Sequence, residues 1–298
     1  MKRRKFLKIS SSALIAGFLP ACSASSPKRS SQDGRIVFAT DFHFEDSWNI
    51  PRAARKLSQA IRNLNPDLVI CGGDLISEGL YINNSEYFRR YRVFQSFLTS
   101  LGAPVVLMPG NHDLSKVSGI ASFKTFSTLS ARSLPYSALQ VMGYNLIFLD
   151  SVMPENSQRG YRGEISKEQL AWLQTLTKKM DKATPVILFS HIPFLREHSA
   201  EIFSSVEKVP RTHYVNNWRE VTSILSAFNI HSIVQGHTHL HRELSLDGIR
   251  SITSGAVCGK WWCGDFKGSS EGFLVADIKN GTVDYKYQEI ELASGKPC

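Results

Sequence analysis

Long apolar runs are missing from this sequence. The stretch from Ile9 to Leu19 is the longest candidate and spans 11 residues, against the roughly 20 that a transmembrane helix needs. A multi-span membrane protein is thereby excluded. Cysteine is scarce as well: five in 298 residues are too few for a fold built on disulfides. No internal repeat occurs, and no shift in composition marks a second domain. With 42% hydrophobic and 20% charged residues, neither a disordered nor a collagen-like chain fits. The net charge of +9 suggests nucleic acid at first sight. However, Lys2, Arg3, Arg4, Lys5 and Lys8 stand in the first 21 residues with no acid among them. The remainder holds 30 basic and 26 acidic residues, so nucleic acid is not indicated as a partner.

What is present begins with an export signal. Residues 1–22, MKRRKFLKISSSALIAGFLPAC, run from a basic start through an apolar stretch to a small residue before a cysteine, the layout of a signal peptide. Arg3-Arg4-Lys5-Phe6-Leu7-Lys8 resembles the bacterial twin-arginine pattern, with Lys2 where Ser or Thr is usual. Leu19-Pro20-Ala21-Cys22 resembles a lipobox, whose cysteine is acylated and becomes the mature N-terminus. We therefore expect a signal peptide over 1–21, a Ser-rich tether over 22–34 and one domain over 35–298. The expected location is the bacterial cell envelope, on the periplasmic or extracytoplasmic face, with the membrane as a partner through lipidated Cys22.

After the tether, short apolar runs alternate with helical patterns. Buried strands are expected at 35–40, 67–71, 104–108, 144–150, 185–190 and 230–235. Helices are expected at 51–64, 85–101, 166–178 (opened by the capping box Ser166-Lys167-Glu168-Gln169) and 217–228, where Asn217 reads as an N-cap. From residue 241 on the pattern turns to strands, with Asn280-Gly281 a hairpin signal between 272–278 and 282–290. This is an α/β chain.

Five of these strands end in acidic or metal-capable residues, at the place where α/β proteins put their chemistry. Asp41 and His43 are two apart. Asp74 follows two glycines that let the backbone turn sharply. Asn111, His112 and Asp113 are consecutive, His191 closes another strand, and His237 and His239 are again two apart. Two Asp, one Asn and four His can thus converge, leaving His112 to spare. A single zinc saturates at about four ligands, so seven argue for two divalent or trivalent ions sharing a carboxylate, with Mn, Fe and Zn all suited.

The ordered blocks D-x-H, G-D, G-N-H-D, H and G-H-x-H resemble those of the calcineurin-like metallophosphoesterases, and they extend over residues 41–239. The resemblance is closest to the bacterial cyclic nucleotide phosphodiesterase-like branch. It implies a four-layer α/β/β/α sandwich of two mixed sheets. One metal would be held by Asp41, His43, Asp74 and His239, the second by Asp74, Asn111, His191 and His237. The implied activity is hydrolysis of a small-molecule or lipid phosphoester, as a cyclic nucleotide-like phosphodiesterase or a phosphomonoesterase, with His112 protonating the departing alkoxide and Asp113 either orienting His112 or making a loop hydrogen bond. A non-catalytic envelope-binding lipoprotein that keeps the fold is the alternative, but such a protein should have lost a ligand. Outside the blocks, His198, His213, His231 and His241 read as surface or core residues. Trp261 and Trp262 either line a substrate cleft or cover the core. Cys258 and Cys263 can pair in an oxidising compartment, and Cys71 reads as a buried thiol.

Overall fold

The structure is a computed structural model and describes residues 32–117, 120–130, 135–246, 248–292, 294 and 296. The signal peptide and nearly all of the tether lie outside the described residues. Among those described, no helix is long and apolar enough to cross a membrane.

The chain opens with β1 (Gly34–Ala39), α1 (Ile50–Asn63), β2 (Leu68–Cys71), α2 (Asn84–Leu101) and β3 (Val105–Leu107). A small ribbon, β4 (Ser115–Val117) with β5 (Ile120–Ser122), and α3 (Lys124–Ser130) lead to β6 (Ser137–Val141) and β7 (Tyr144–Phe148). A second ribbon, β8 (Val152–Pro154) with β9 (Tyr161–Gly163), precedes α4 (Lys167–Thr177) and β10 (Val186–Phe189). Then come the short α5 (Ala200–Phe203), α6 (Trp218–Ile224), β11 (Ile230–Gln235), β12 (Arg242–Leu246), β13 (Ile249–Thr253), β14 (Gly272–Lys279) and β15 (Thr282–Glu289).

These strands form two large mixed sheets, in the orders β15-β14-β1-β2-β3 and β12-β13-β11-β10-β7-β6. In the first, β1, β2 and β3 are parallel; in the second, β7, β10, β11 and β13 are parallel. Parallel neighbours need crossover helices, and those helices must cover a sheet face. Accordingly α1 and α2 bury Leu57, Ile61, Phe94 and Phe97 against the outer face of the first sheet. Leu173 of α4 and Val221 of α6 do the same on the second sheet. The inner faces meet through Ile36, Phe38 and Ile70 on one side and Leu146, Phe189 and Val234 on the other. The result is the four-layer α/β/β/α sandwich.

Several expectations change in detail. The strand pattern that begins at residue 241 resolves first into the antiparallel hairpin β12–β13. Asn217 makes no side-chain cap; its side chain instead accepts from Ile165 N and donates to Ile165 O, both at 2.9 Å. It thereby ties the approach to α6 to the segment before α4, and α6 ends at Ile224. Ser166 does cap α4, accepting from Gln169 N at 3.2 Å. Cys263 is disulfide-bonded whereas Cys71 and Cys258 are free buried thiols. Cys258 and Cys263 therefore do not pair, and the partner of Cys263 lies outside the described residues.

Candidate metal centre

All the predicted ligands converge where β1, β2, β3, β10 and β11 end. The backbone there is unusual. Asp41, His43, Asp74, His237 and His239 all have positive φ, between 43° and 70°, a region that non-glycine residues seldom occupy. Such strain persists only when surrounding contacts over-determine it. Here Asp41 N donates to Gly73 O (3.0 Å) and His43 N to Asp74 O (2.9 Å), lacing the first two loops together. His237 N donates to both Asp41 carboxylate oxygens (3.1 and 2.9 Å) and pins the fifth block on the first. Glycine is required beside them. A Cβ on Gly110 would lie 2.2 Å from both Asp74 N and Asp74 Oδ1, and one on Gly73, whose φ is +105°, would lie 2.6 Å from His191 Nδ1.

The side chains form two groups that share one carboxylate. Asp74 Oδ2 lies 3.5 Å from His43 Nε2 and 3.3 Å from His191 Nε2. On the first side, His43 Nε2 is 3.1 Å from His239 Nε2, which is 3.5 Å from Asp41 Oδ1. On the second, His191 Nε2 is 3.3 Å from Asn111 Oδ1, and Asp74, His191 and His237 have donor atoms within 4.8 Å of one another. Two imidazoles are aimed from behind: His191 Nδ1 donates to Gly72 O (2.9 Å) and His239 Nδ1 to Gly259 O (2.6 Å). Each neutral ring then presents a bare Nε2 to the centre, as metal-ligating histidines do.

Electrostatics show why this arrangement is incomplete with protein atoms alone. A bare Nε2 facing a carboxylate oxygen, or a second bare Nε2, is repulsive unless a proton or a cation lies between them. Burial pushes the His191 ring down, yet the Asp74 carboxylate, joined by Asp41 and the Gly72 carbonyl, outweighs it and lifts the ring to about 9. Burial likewise raises Asp74, but the fields of His191 and His112 hold it well below the usual carboxylate range. Burial drives His43 and His237 far down, with further lowering from His112 and His213 respectively. His43 Nδ1 and His237 Nε2 are buried without any hydrogen-bond partner. Carboxylate, imidazole and amide donors of this kind suit borderline transition metals, so the residues present fit the implied ions.

His112 stands beside this set. Its ring meets His43 edge-on at 4.5 Å, and its donor atoms also come within reach of His43 and Asp74. Glu78 N donates to His112 Nδ1 at 3.0 Å, so the neutral ring carries its proton on Nε2. Asp113 does not face that ring: its oxygens accept from Leu75 N (2.9 Å) and Gly110 N (2.8 Å). Those are the contacts of a loop hydrogen bond, one of the two roles expected for it. Burial raises the Asp113 carboxyl to about 8, with Asp74 adding to the effect.

Three further residues belong to the surroundings. Trp261 and Trp262 split the two roles they were assigned jointly. Trp262 is buried, stacks on Phe44 at 5.8 Å, and its Nε1 donates to His43 O at 3.0 Å. Trp261 is 42% exposed and lies over His239 and His43, at 4.6 and 6.1 Å. The third is His213, which from sequence reads as an ordinary surface or core residue. Its ring lies 4.6 Å from that of His237, and Thr212 Oγ1 is 2.9 Å from its Nδ1. No spacing in the sequence links it to the other blocks. His198, by contrast, is a core residue bonded to Ser251 Oγ at 2.9 Å.

Two large mixed sheets with this donor set at their shared edge define a metal-dependent phosphoric ester hydrolase. The profile described as calcineurin-like phosphoesterase matches residues 34–241, and the chain belongs to that family. The 3',5'-cyclic adenosine monophosphate phosphodiesterase CpdA of Escherichia coli (strain K12) is 23% identical over 224 residues, 72% of this chain and 68% of that protein. A probable glycerophosphodiester phosphodiesterase, GpdQ, of Arcobacter nitrofigilis is 32% identical over 168 residues, 53% of this chain and 56% of that protein. Among solved structures, a dimetal phosphatase from Danio rerio superposes with a TM-score of 0.64 at 15% identity, covering 85% of this chain and 95% of the other. That likeness is one of fold.

Proposed function

We propose that the chain hydrolyses phosphodiesters with a binuclear metal centre. The observation that carries this reading is Asp74, whose Oδ2 is shared by the His43 and His191 sides of the site. Asp41, His43, Asp74 and His239 would hold one ion, and Asp74, Asn111, His191 and His237 the other. When bound, such a pair of ions neutralises phosphoester charge and activates water for in-line attack. The chain's own residues do the rest. His112 presents Nε2–H beside the centre and donates to the oxygen of the leaving group, while Glu78 N holds the ring in that tautomer. With Nδ1 occupied by that contact, His112 serves as a fixed donor. Trp261 offers an exposed aromatic face for the organic part of the substrate.

Diesters are preferred to monoesters because both CpdA and GpdQ carry phosphodiesterase names. Cyclic nucleotides and glycerophosphodiesters are accordingly the first substrates to try. The purified protein with manganese should cleave bis-nitrophenyl phosphate and at least one natural diester at least tenfold faster than nitrophenyl phosphate. A clear preference for the monoester would overturn the diesterase reading while leaving the family unaffected.

The N-terminal residues support a location. A basic start, Arg3-Arg4 and the Leu19–Cys22 block suit an exported, lipidated protein of the envelope, and a disulfide at Cys263 suits an oxidising compartment. Cys22→Ser should move the protein from the membrane to the soluble fraction when membranes are washed at high ionic strength, and Arg3→Lys with Arg4→Lys should block its export. Normal export of the double lysine variant would rule out the twin-arginine route.

A further inference from the structure

The positive charge of the chain beyond residue 21 is concentrated in one layer. Helix α1 has four basic residues and no acid, and α2 has three basic residues and one acid, Glu86. Together the two helices carry a net +6, against +4 for everything after residue 21, so the rest of that stretch is net acidic. Their apolar sides are spent on the core, which leaves Arg52, Arg55, Lys56, Arg62, Arg89 and Arg92 exposed, whereas Arg90 is tucked against Glu86 and the Ser77 carbonyl.

Aromatic side chains accompany this charge. Phe88 is 43% exposed and stands one turn before Arg92 on the outer side of α2. Trp48 is 57% exposed, two residues ahead of α1. Between the helices lies a groove of about 290 Å³ with Ala54 and Phe97 at its base and Arg55, Arg89 and Arg92 along it. Asp46 engages Arg89 at 2.8 Å, while Arg55 and Arg92 make no ion pair among the described residues. Exposed Trp and Phe beside unpaired arginines are the composition of a surface that lies in a lipid headgroup layer: rings enter the acyl boundary and cations meet phosphates. A nucleic acid duplex would use the arginines but leave Phe88 unexplained, and a single strand stacking on the rings is distinguished by the vesicle experiment.

We propose that the outer face of α1 and α2, entered by Trp48 and Phe88, docks on an anionic phospholipid surface. Both aromatics lie where the helices begin, on the same end of the sandwich as Asp41 and Asp74. Docking there sets the candidate metal centre beside the headgroups. This face acts without an acyl group at Cys22 and whatever ester is cleaved, so its failure and failure of the diesterase reading are separate results.

The test uses the full chain with Cys22→Ser and follows quenching of tryptophan fluorescence by brominated phospholipid. Residues 1–31 contain no tryptophan, so binding through the N-terminal segment alone gives no signal of this kind. Vesicles of brominated phosphatidylcholine with about one third phosphatidylglycerol should quench; those of brominated phosphatidylcholine alone should not. Trp48→Phe should remove most of the quenching. Arg55→Glu with Arg92→Glu should weaken vesicle binding by roughly thirtyfold or more and leave hydrolysis of a soluble nitrophenyl diester unchanged. Quenching that survives Trp48→Phe but vanishes with Trp261→Phe would overturn the proposal, as would equal quenching on neutral vesicles or indifference to the double arginine change. So would binding of single-stranded DNA through Arg55 and Arg92 in a protein that ignores vesicles.

Discussion

Asp74→Asn is the change that separates a shared carboxylate from two independent sites. The replacement is isosteric, and its amide oxygen can still accept from His112 N, which Asp74 Oδ1 does at 2.7 Å. The loop should therefore hold its shape while one negative charge is lost. Asp74 Oδ2 sits 3.5 and 3.3 Å from the histidine nitrogens of the two sides, so an ion on either side lies within about 4 Å of that charge. At such a separation a unit charge pair near a protein surface is worth about 4 kcal/mol, or roughly a thousandfold in affinity for each ion. An ion present at 100 times its Kd stabilises a fold by about 2.7 kcal/mol. Two ions then add about 5 kcal/mol, which for a domain of this size raises Tm by on the order of 10 °C. Thermal unfolding with and without manganese, together with elemental analysis, reads both quantities. The wild type should hold two ions and show the full shift, Asp74→Asn should lose nearly all of both, and His191→Ala should keep one ion and about half the shift. One ion in the metal-replete wild type, or one ion retained at full affinity in Asp74→Asn, would refute the reasoning.

Three other outcomes follow from contacts already described. His112→Asn should keep both metals and lose about 10²–10³-fold in turnover on alkyl diesters, with a much smaller loss on nitrophenyl esters, whose leaving group needs little help; equal losses would place the donor on the phosphoryl oxygens instead. Gly110→Ala drives a Cβ into the Asp74 backbone at 2.2 Å and should cost about 1–3 kcal/mol together with metal, as denaturant unfolding and metal content will show. His198 is buried and lowered to about 4 by that burial. Because the folded form resists protonation while the unfolded form titrates near its ordinary value, stability is complete above that value and falls as pH drops toward 4, by about 3 kcal/mol in all; in His198→Gln this part of the pH dependence of unfolding should vanish.

Much of the site could be read in the sequence because its donors sit at strand ends in short blocks. Asp41, His43, Asp74, Asn111, His191, His237 and His239 needed only a residue type and a position after an apolar run. The alternation of those runs with helices also placed them at one edge of a layered α/β fold. What could not be read depends on contacts between distant segments. His213 reaches His237 from a loop with no periodic neighbour, and the sequence cannot tell Trp261 from Trp262 because adjacent residues diverge only once the backbone turns. Asn217 looks like a cap by its place before a helix, yet its amide is taken by Ile165, 52 residues earlier. The exposed charge of α1 and α2 was present in the composition but became a surface only when the two helices packed side by side.

The pairing of Gly34 with Ile278 governs the order in which this protein can be assembled. β1, which leads directly into Asp41 and His43, lies between β2 and β14, and β14 leaves the ribosome after every candidate ligand has done so. Until then β1 has one bare edge, and His43 also lacks Trp262 to hold its carbonyl. Contacts so far apart along a chain form slowly and leave partly folded intermediates exposed to aggregation. The matched segment 34–241 contains every candidate ligand yet ends before β14, so a fragment cut there would carry the chemistry without the strand that closes its first sheet. Synthesis must run past Lys279, the end of β14, before a metal has a finished seat.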